Sequence, residues 1–280
     1  MAARRSRDAA GSARRVLGHD LAHARTLAAG RRRLDDDAIH AVRKDLKHAR
    51  AALRLLRGAV SEDAYRRENA ALRDAARPLA AARDARALLE TVGALLASSD
   101  MKPHREALAR LRARLRREHD QRLRDLKGVT DRVERPLEQS GQRIERWRML
   151  HDGSGLLLDG LRCIYRKGRR ALRATQREGS DAALHESRKQ AKYLRSALEI
   201  IDASHPKQAK RAARRADKVT KKLGDDHDLA LLARAVRPRG AEASLRDALE
   251  RRRGKLQRKA IKEARRLYGR KAKKFTARFS

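Results

Sequence analysis

Histidine, arginine and lysine residues at spacings of three and four carry the most evident chemistry in this sequence. On a helix with about 100° between successive residues, six of them fall within an arc of about 120°. They are His40, Arg43, Lys44, Lys47, Arg50 and Arg54, which we call the first stripe. Apolar residues between Ile39 and Leu56 occupy the adjoining arc, a width that suits a buried face. The pattern predicts an amphipathic helix with one basic side.

The same pattern recurs 145 residues later. Nine of the 21 positions in residues 36–56 are identical to those in residues 181–201, without a gap. The second stripe consists of His185, Arg188, Lys189, Lys192 and Arg195. Like charges at these spacings cost a helix about 0.2–0.5 kcal/mol per pair, so drift would rarely repeat them in register. We interpret the repetition as an internal duplication whose basic faces bind a ligand.

The residue types in the stripes suit phosphate groups. Arginine offers a planar fork of donors, lysine offers a compact charge, and a histidine among phosphates would have its charged form favoured. From His40 to Arg54 the first stripe rises by 14 residue steps, or about 21 Å of helix. An extended phosphate chain could be followed over this length. The pattern therefore indicates binding of a polyanion without reading of a base sequence.

Overall charge points in the same direction. The chain has 73 Lys and Arg against 36 Asp and Glu, a formal net charge of +37 over 280 residues. Self-repulsion of this size disfavours a compact state unless an anion offsets it. DNA, RNA, anionic lipid and inorganic polyphosphate are the candidate partners. The alternative is that the basic residues only coat solvated helix faces, with their apolar stems packed along the surface.

Composition predicts an all-α protein. Alanine, leucine and arginine dominate, while the chain has only five prolines, four Tyr, two Phe and one Trp. Apolar spacing predicts helices over 6–29, 37–57, 62–77, 79–98, 104–126, 155–177, 182–202, 206–222, 226–236 and 241–268. Asp36 and Asp181 are predicted N-caps, and Gly58 and Gly224 are predicted to follow helix C-termini. Pro206 fits a first helical turn.

We expect one domain over residues 1–280, built from two pseudo-symmetric helical-bundle halves. The halves cover about 1–145 and 146–280, and residues 127–150 form the junction, where Trp147, Met149 and Leu150 are expected to pack. Further basic rows lie on neighbouring predicted helices. They comprise Arg166, Arg169 and Arg170, then Lys210, Arg214, Lys218 and Lys221, with Arg25 as the first-half counterpart of Arg170. We predict that these residues also bind the anion.

The chain resembles the CHAD domain family, named for a histidine on an α-helical scaffold. The match is the pair Ile39-His40-x-x-Arg43-Lys44-x-x-Lys47-x-x-Arg50 and Leu184-His185-x-x-Arg188-Lys189-x-x-Lys192-Tyr193-x-Arg195-x-Ala197-Leu198-Glu199. Supporting motifs are Arg83-Asp84, Leu223-Gly224-x-x-x-Asp228-Leu229 and Tyr165-Arg166-x-x-Arg169-Arg170. The resemblance covers essentially the whole chain. His48 departs from it, since the second copy has Tyr193 at that position.

The resemblance implies two helical halves around a central basic groove or pore that binds inorganic polyphosphate. Some members are attached to a triphosphate-cleaving enzyme with an E-x-E-x-K strand, which this sequence lacks. The chain is therefore similar to the stand-alone polyphosphate-binding type. We expect a cytoplasmic protein that is concentrated on polyphosphate granules.

Catalytic and metal-binding motifs have little support. There is no G-x-x-x-x-G-K-[ST] loop and no G-x-S-x-G elbow, and Cys163 has no histidine at a recognisable spacing. His19 and His23 share a helix face but lack the glutamate of a zincin. Asp225-Asp226-His227-Asp228 fits a helix stop and N-cap better than a ligand set. We expect a binding module that is not an enzyme, with no metal site and no cofactor.

Two other functions stay open. Non-specific nucleic-acid binding is the first alternative, although the few aromatic residues leave almost no stacking platform and no DNA- or RNA-binding signature is present. A helical protein that binds acidic proteins or granule surfaces is the second. No stretch approaches the ~20 apolar residues of a membrane helix, so no insertion is expected. The oligomeric state is left open by the sequence.

Overall fold

The computed structural model describes residues 9–29, 34–149, 154–201, 206–236 and 241–279, and every regular element within these ranges is helical. The α-helices are α1 (Ala9–Ala28), α2 (Asp36–Leu55), α3 (Glu62–Ala76), α4 (Ala80–Leu96), α5 (Arg105–Arg124), α6 (Thr130–Glu145), α7 (Ser154–Glu178), α8 (Asp181–Ile201), α9 (Pro206–Ala235), α10 (Ala241–Tyr268) and α11 (Ala272–Thr276). Short 3₁₀ helices cover Leu56–Gly58, Ser99–His104 and Ala277–Phe279. The all-α prediction is confirmed, whereas pseudo-symmetry of the halves stays a prediction.

Two hydrophobic clusters hold the helices together. The larger cluster joins α1, α2, α3, α6, α7 and α8 with the first half of α9 and the last turns of α10. The smaller cluster joins α4 and α5 to the second half of α9 and the start of α10. Helix α9 is 30 residues long and contributes to both clusters. It therefore fixes the small cluster relative to the helices that carry the stripes.

The predicted caps of the stripe helices are wrong by one residue. Asp35 caps α2 by accepting a 2.7 Å hydrogen bond from the Ala38 N–H, and Ser180 accepts the equivalent bond at the start of α8. Asp36 and Asp181 lie in the first turn, where a negative charge is also favourable. Each of them instead forms ion pairs with residues on other helices.

These ion pairs tie each stripe helix to a neighbouring pair of helices. Asp36 accepts from Arg86 of α4 at 3.1 Å and lies 2.9 Å from Nε2 of buried His119 on α5. Asp181 accepts from Arg234 of α9 at 2.7 Å and also pairs with Arg253 of α10. The first turn of each stripe helix is therefore anchored to two helices of the same half.

Gly224 does not end a helix, contrary to prediction. Helix α9 continues through it. The glycine instead gives room for a neighbouring side chain, since a Cβ there would lie 3.2 Å from Nη2 of Arg188. Asp226 is not a cap either, since it accepts from Arg253 at 3.1 Å and from Gln257 at 2.9 Å. Gly58 ends a 3₁₀ turn without a positive φ, which the described residues show only at Gly128 and Gly179.

The predicted junction contains a helix, α6, which the sequence reading missed. Pro136 lies inside it and removes one backbone donor, which argued against a helix. Buried residues at helical spacing, including Val133, Leu137 and Ile144, pack it onto the large cluster. Arg143 of α6 also forms two hydrogen bonds, of 2.7 and 2.9 Å, with the fully buried Glu68 of α3. Tertiary packing therefore outweighs the proline.

Residues near the junction and the C-terminus complete the large cluster. Trp147 and Met149 pack against it as expected, while Leu150 lies outside the described residues. Four aromatic side chains fasten the C-terminal helices to α7, with the rings of Tyr165 and Phe275 stacked 4.0 Å apart. The others are Tyr268 and Phe279. Along the chain as described, no helix combines the length and the apolar character that a membrane span requires.

Candidate polyanion-binding groove

The two stripes meet where α2 and α8 pack against each other. The charge of Lys47 on α2 lowers the pKa of Lys192 on α8, and the charge of Arg188 on α8 lowers the pKa of Lys47. Arg83 of α4 and His227 of α9 complete the group. We call these residues the central cluster: His40, Arg43, Lys47, Arg83, His185, Arg188, Lys192 and His227. Residues of both stripes therefore lie in one basic cluster.

The two central lysines carry the strongest electrostatic perturbation of the cluster. Burial together with Arg43 and Arg83 lowers the pKa of Lys47 to about 8. Burial, with Arg188 and Lys47, lowers the pKa of Lys192 to about 7. The Lys47 side chain is nevertheless exposed to solvent and Lys192 is half-buried. We call the surface around these two lysines the candidate groove.

The three histidines of the cluster have lowered pKa values. Burial is the main cause for each; Arg83 adds to it for His40, His227 for His185, and Arg188 for His227. The rings of His185 and His227 have centroids 5.0 Å apart. Neutral imidazoles are therefore favoured in the free protein, because burial disfavours the charged form and the neighbouring cations add to this effect. A bound phosphate would reverse this preference.

The arginines of the cluster present buried nitrogen atoms that have no hydrogen-bond acceptor within the described chain. These atoms are Nε of Arg43, Nη1 of Arg83 and Nε of Arg188. Arg43 is held in place by donating from Nη1 to the Ala76 carbonyl at 2.9 Å, and Arg188 packs over Gly224. A buried donor without a partner costs about 1–3 kcal/mol. These donors are fixed in position and would gain from a ligand rich in oxygen atoms.

Three carboxylates, Asp84, Glu90 and Asp228, act on the cluster without neutralising it. Glu90 lies 4.0 Å from Nη1 of Arg83 and partly offsets the lowering of the His40 pKa. Asp84 raises the pKa of Lys47, and Asp228 raises that of Lys192, but burial and nearby cations have the larger effect on both lysines. Burial also raises the pKa of Asp228 and of Asp225. The side chains that influence Asp228 include Arg188, Arg83 and Lys192. The net field in the groove is therefore positive.

The outer residues of the stripes extend this basic surface but already have partners. Arg50 donates to Asn69 at 3.3 Å, and the guanidinium of Arg54 lies 3.7 Å from the Tyr193 ring centroid. Arg195 binds Glu199 at 2.9 Å and Asp217 at 2.7 Å, and Lys189 pairs with Glu186. Lys44 is exposed. A ligand would therefore find the least compensated charge at the centre of the stripes.

The basic residues of α9 approach the groove at the C-terminal end of their row, at Lys221. Lys221 is an electrostatic neighbour of Asp225, which Arg188 also influences. The preceding residues of the row, Lys210, Arg214 and Lys218, are exposed along the first half of α9. Arg195 reaches the same half of α9 through Asp217. This row could therefore continue a phosphate path that leaves the central cluster.

The structure does not bring Arg25 or the arginines of α7 to the central cluster. Arg25 lies 3.9 Å from Glu134 and 3.5 Å from Glu138, both on α6. On α7, Thr175 faces α8 through a 2.7 Å contact with Ser187. Arg166, Arg169 and Arg170 lie on the opposite side of α7 by helical position. Their predicted role in anion binding would require a separate outer surface.

The sequence reading missed Arg83 and His227 as site residues although a signal for them was present. An offset of 144 residues aligns Arg83-Asp84 with His227-Asp228. Arg83-Asp84 lies at the start of α4, and His227-Asp228 lies within α9. Because the duplication aligns these two positions, they could have been predicted as site residues together with the stripes. His48, in contrast, is turned away to bond with Asp20 at 2.7 Å.

The clusters considered for metal binding have other contacts. His23 lies 2.7 Å from a carboxylate oxygen of Asp45 and stacks on His19, with centroids 6.2 Å apart. Asp226 is occupied by Arg253 and Gln257. Within the ranges that the structure covers, no three His, Cys, Asp or Glu side chains form a group that could hold a metal ion.

Comparison with known proteins gives a consistent fold assignment. The CHAD domain profile matches residues 15–237. The crystal structure of the CHAD domain from the plant Ricinus communis superposes with a TM-score of 0.60 at 15% identity, over 98% of this chain and 92% of that one. PptA from Streptomyces chartreusis gives a TM-score of 0.62 at 16% identity, over 96% of this chain and 99% of that one. No curated protein matches the sequence.

The lowered pKa of Lys192 predicts that this residue destabilises the free protein. Because its pKa is about 7 in the folded chain and 10.5 ordinarily, protonation favours the unfolded state, with the full cost below pH 7 and none above about pH 10.5. We expect Lys192→Met to raise the melting temperature by at least about 2 °C at pH 6, the effect of ~1 kcal/mol in a domain of this size. The gain should shrink at pH 9.

Lys262→Met is the matched control, because Lys262 is exposed on α10. Its effect on the melting temperature should be smaller and nearly independent of pH. Calorimetric melting in low salt without added anions makes the comparison. A Lys192→Met protein that melts below the wild type at pH 6 would show that contacts of the lysine outweigh the repulsion.

Proposed function

The chain belongs to the CHAD domain family, and we propose that it binds inorganic polyphosphate in the central cluster. One observation carries the proposal: cations of both stripes act on each other across the α2–α8 contact, since Lys47 adds to burial in lowering the pKa of its equivalent Lys192, and Arg188 adds to burial in lowering the pKa of Lys47. Such an arrangement is unfavourable for the protein alone. A linear polyanion that lies between α2 and α8 would relieve the repulsion on both helices at once.

The hydrogen-bonding groups of the groove suit phosphate in particular. Arginine forks from Arg43, Arg83 and Arg188 surround two compact ammonium groups, which gives both directional donors and point charges. Every unit of a polyphosphate chain carries charged oxygen acceptors and no apolar part. Binding would supply acceptors to buried donors and would favour the protonated lysines and histidines. The proposed role is therefore that of a binding module without catalytic groups or cofactor.

Nucleic acid is a weaker fit to this surface. Binding of single strands without sequence preference depends on aromatic side chains against which bases stack. Here all the tyrosines and phenylalanines are buried and Trp147 is half-buried. The groove therefore has positive charge for a backbone and no platform for bases. We propose that DNA and RNA bind more weakly than polyphosphate, and that the protein is concentrated on cytoplasmic polyphosphate granules.

Competition at physiological salt tests the proposal. Labelled long-chain polyphosphate is bound to the protein and displaced with unlabelled polyphosphate, duplex DNA or RNA at equal phosphate concentration. We expect polyphosphate to bind at least tenfold more tightly, a difference of about 1.4 kcal/mol. The affinity should fall linearly with salt on logarithmic axes, because counterions are displaced.

Equal affinities for polyphosphate and nucleic acid would instead support a general polyanion-binding protein. An affinity that hardly changes with salt would contradict binding through the basic groove. Lys273→Gln/Lys274→Gln, two exposed lysines on α11, provides the control for loss of general positive charge. It should leave the preference for polyphosphate unchanged.

A shared groove predicts that one polyphosphate chain contacts both stripes. Lys47→Glu and Lys192→Glu should each weaken long-chain binding at least 100-fold, about 2.8 kcal/mol, because either change places a repulsive charge in the same site. Short chains should lose less, since they touch only part of the surface. Titration calorimetry with a chain of defined length gives affinity and stoichiometry, and circular dichroism checks that the helices persist.

Lys273→Glu is the matched charge reversal outside the groove and should change the affinity by less than threefold. If Lys47→Glu or Lys192→Glu halves the number of sites and leaves the affinity of the remaining site unchanged, the two stripes bind independently. That result would reject the shared groove while leaving polyphosphate binding itself intact.

The lowered pKa values predict that polyphosphate binding takes up protons. At pH 7.5 much of Lys192 has lost its proton, because its pKa in the free protein is about 7, and a bound phosphate raises that pKa. Binding should therefore strengthen as the pH falls from 9 to 7, with His40, His185 and His227 extending the effect below pH 7. Titrations in buffers of different ionisation enthalpy count the protons.

Lys192→Arg is the control for this linkage, because the guanidinium keeps its charge at neutral pH. It should bind polyphosphate with a smaller proton uptake at pH 7.5 than the wild type. Binding of the wild type without any proton uptake at this pH would contradict the assignment of Lys192 to the binding site.

A further inference from the structure

A second basic site lies outside the groove, in a cavity of about 480 Å³ between α10 and the 3₁₀ helix Ser99–His104. Four cationic side chains of α10 line it: Arg251, Arg252, Lys255 and Lys259. Helical spacing places them along one side of α10. The cavity has the size of a small-molecule site, which typically measures about 300–1,000 Å³.

The charge of this cavity is only partly compensated. Arg252 donates to both carboxylate oxygens of Asp100 at 3.0 Å. Arg251, Lys255 and Lys259 form no hydrogen bond or ion pair with the described residues of the chain. Four cations against one carboxylate leave a formal charge of +3 around the cavity. A compact ligand with several negative charges would match it.

Apart from His104, apolar residues form the rest of the wall, which distinguishes this cavity from the groove. Met101 is 2% exposed and belongs to the smaller hydrophobic cluster, against which Leu256 and Ala248 also pack. A chain made only of phosphate would leave these surfaces without a favourable contact. A ligand that joins a flat apolar group to several phosphates would use both parts of the cavity.

We propose that this cavity binds a nucleoside diphosphate or triphosphate. The phosphates would lie among Lys255, Lys259 and Arg251, whose donors suit phosphate oxygens. The base would lie against the half-buried Leu256 and Ala248, and the planar guanidinium of Arg252 would cover its other face. The proposal does not rest on polyphosphate binding in the groove.

Titration calorimetry with ATP, tripolyphosphate and adenosine on the full chain tests the site. We expect ATP to bind with one-to-one stoichiometry and at least fivefold more tightly than tripolyphosphate, although tripolyphosphate carries the higher charge. Adenosine should not bind detectably. Tripolyphosphate that binds as tightly as ATP would overturn the assignment of a nucleoside ligand.

Variants separate the two parts of the cavity. Lys255→Gln/Lys259→Gln should weaken ATP binding at least tenfold, while the matched control Lys273→Gln/Lys274→Gln should stay within twofold of the wild type. Leu256→Gln, at a half-buried helical position, should remove the preference for ATP and leave tripolyphosphate binding unchanged. Equal losses for both ligands in this variant would contradict a base on the apolar wall.

A groove variant shows whether the sites are distinct. The affinity of Lys192→Glu for ATP should be within threefold of the wild-type value, although this variant no longer binds long-chain polyphosphate tightly. If Lys192→Glu abolishes ATP binding while Lys255→Gln/Lys259→Gln does not, ATP binds in the groove and the second site is rejected. That outcome would leave the proposed polyphosphate function standing.

Discussion

Repulsion between like charges at the junction of α2 and α8 is the constraint on which the rest of the structure depends. Lys47, Lys192 and three arginines are held together with too few carboxylates to neutralise them. Side chains on the opposite faces of the same helices must compensate. Ile39, Leu46 and Leu53 on α2 are fully buried, and α8 buries its apolar face in the same cluster. The helices are therefore held by their apolar sides and by the ion pairs of Asp36 and Asp181.

How far the sequence reveals this arrangement depends on whether the information is local. Helical periodicity and the duplication predict the stripe helices, because periodicity is visible within each segment and the duplication is visible when the two segments are aligned. The ion pairs of Asp36, the continuation of α9 through Gly224 and the presence of α6 could not be predicted in this way. Asp36 caps nothing because Asp35 already does, and its partners Arg86 and His119 are 50 and 83 residues away. Gly224 is explained only by the guanidinium of Arg188 from another helix.

The candidate site shows the same division. Alignment of the two copies predicts which residues are equivalent. The structure brings the equivalent Lys47 and Lys192 close together. The alignment does not predict which rows of basic residues lie near the central cluster. Arg170 and Lys221 look alike in the sequence, yet α7 turns its arginines away from α8, whereas the end of the α9 row reaches the neighbours of Arg188. Which face of a helix is covered is a property of tertiary packing, and the abundance of arginine on almost all of the helices hides it in the sequence.

The choice of lysine at the centre and arginine around it follows from the same repulsion. Arginine cannot lose its proton in a protein, so a centre of arginines alone would keep its full charge without a ligand. Lysine can, and the pKa values of about 8 and 7 place Lys47 and Lys192 where part of that charge is released near neutral pH. The arginines keep the site attractive and supply fixed donors. The lysines let the free protein lower its own repulsion and regain the charge when an anion arrives, so stability without ligand and affinity for ligand are set by the same two ammonium groups.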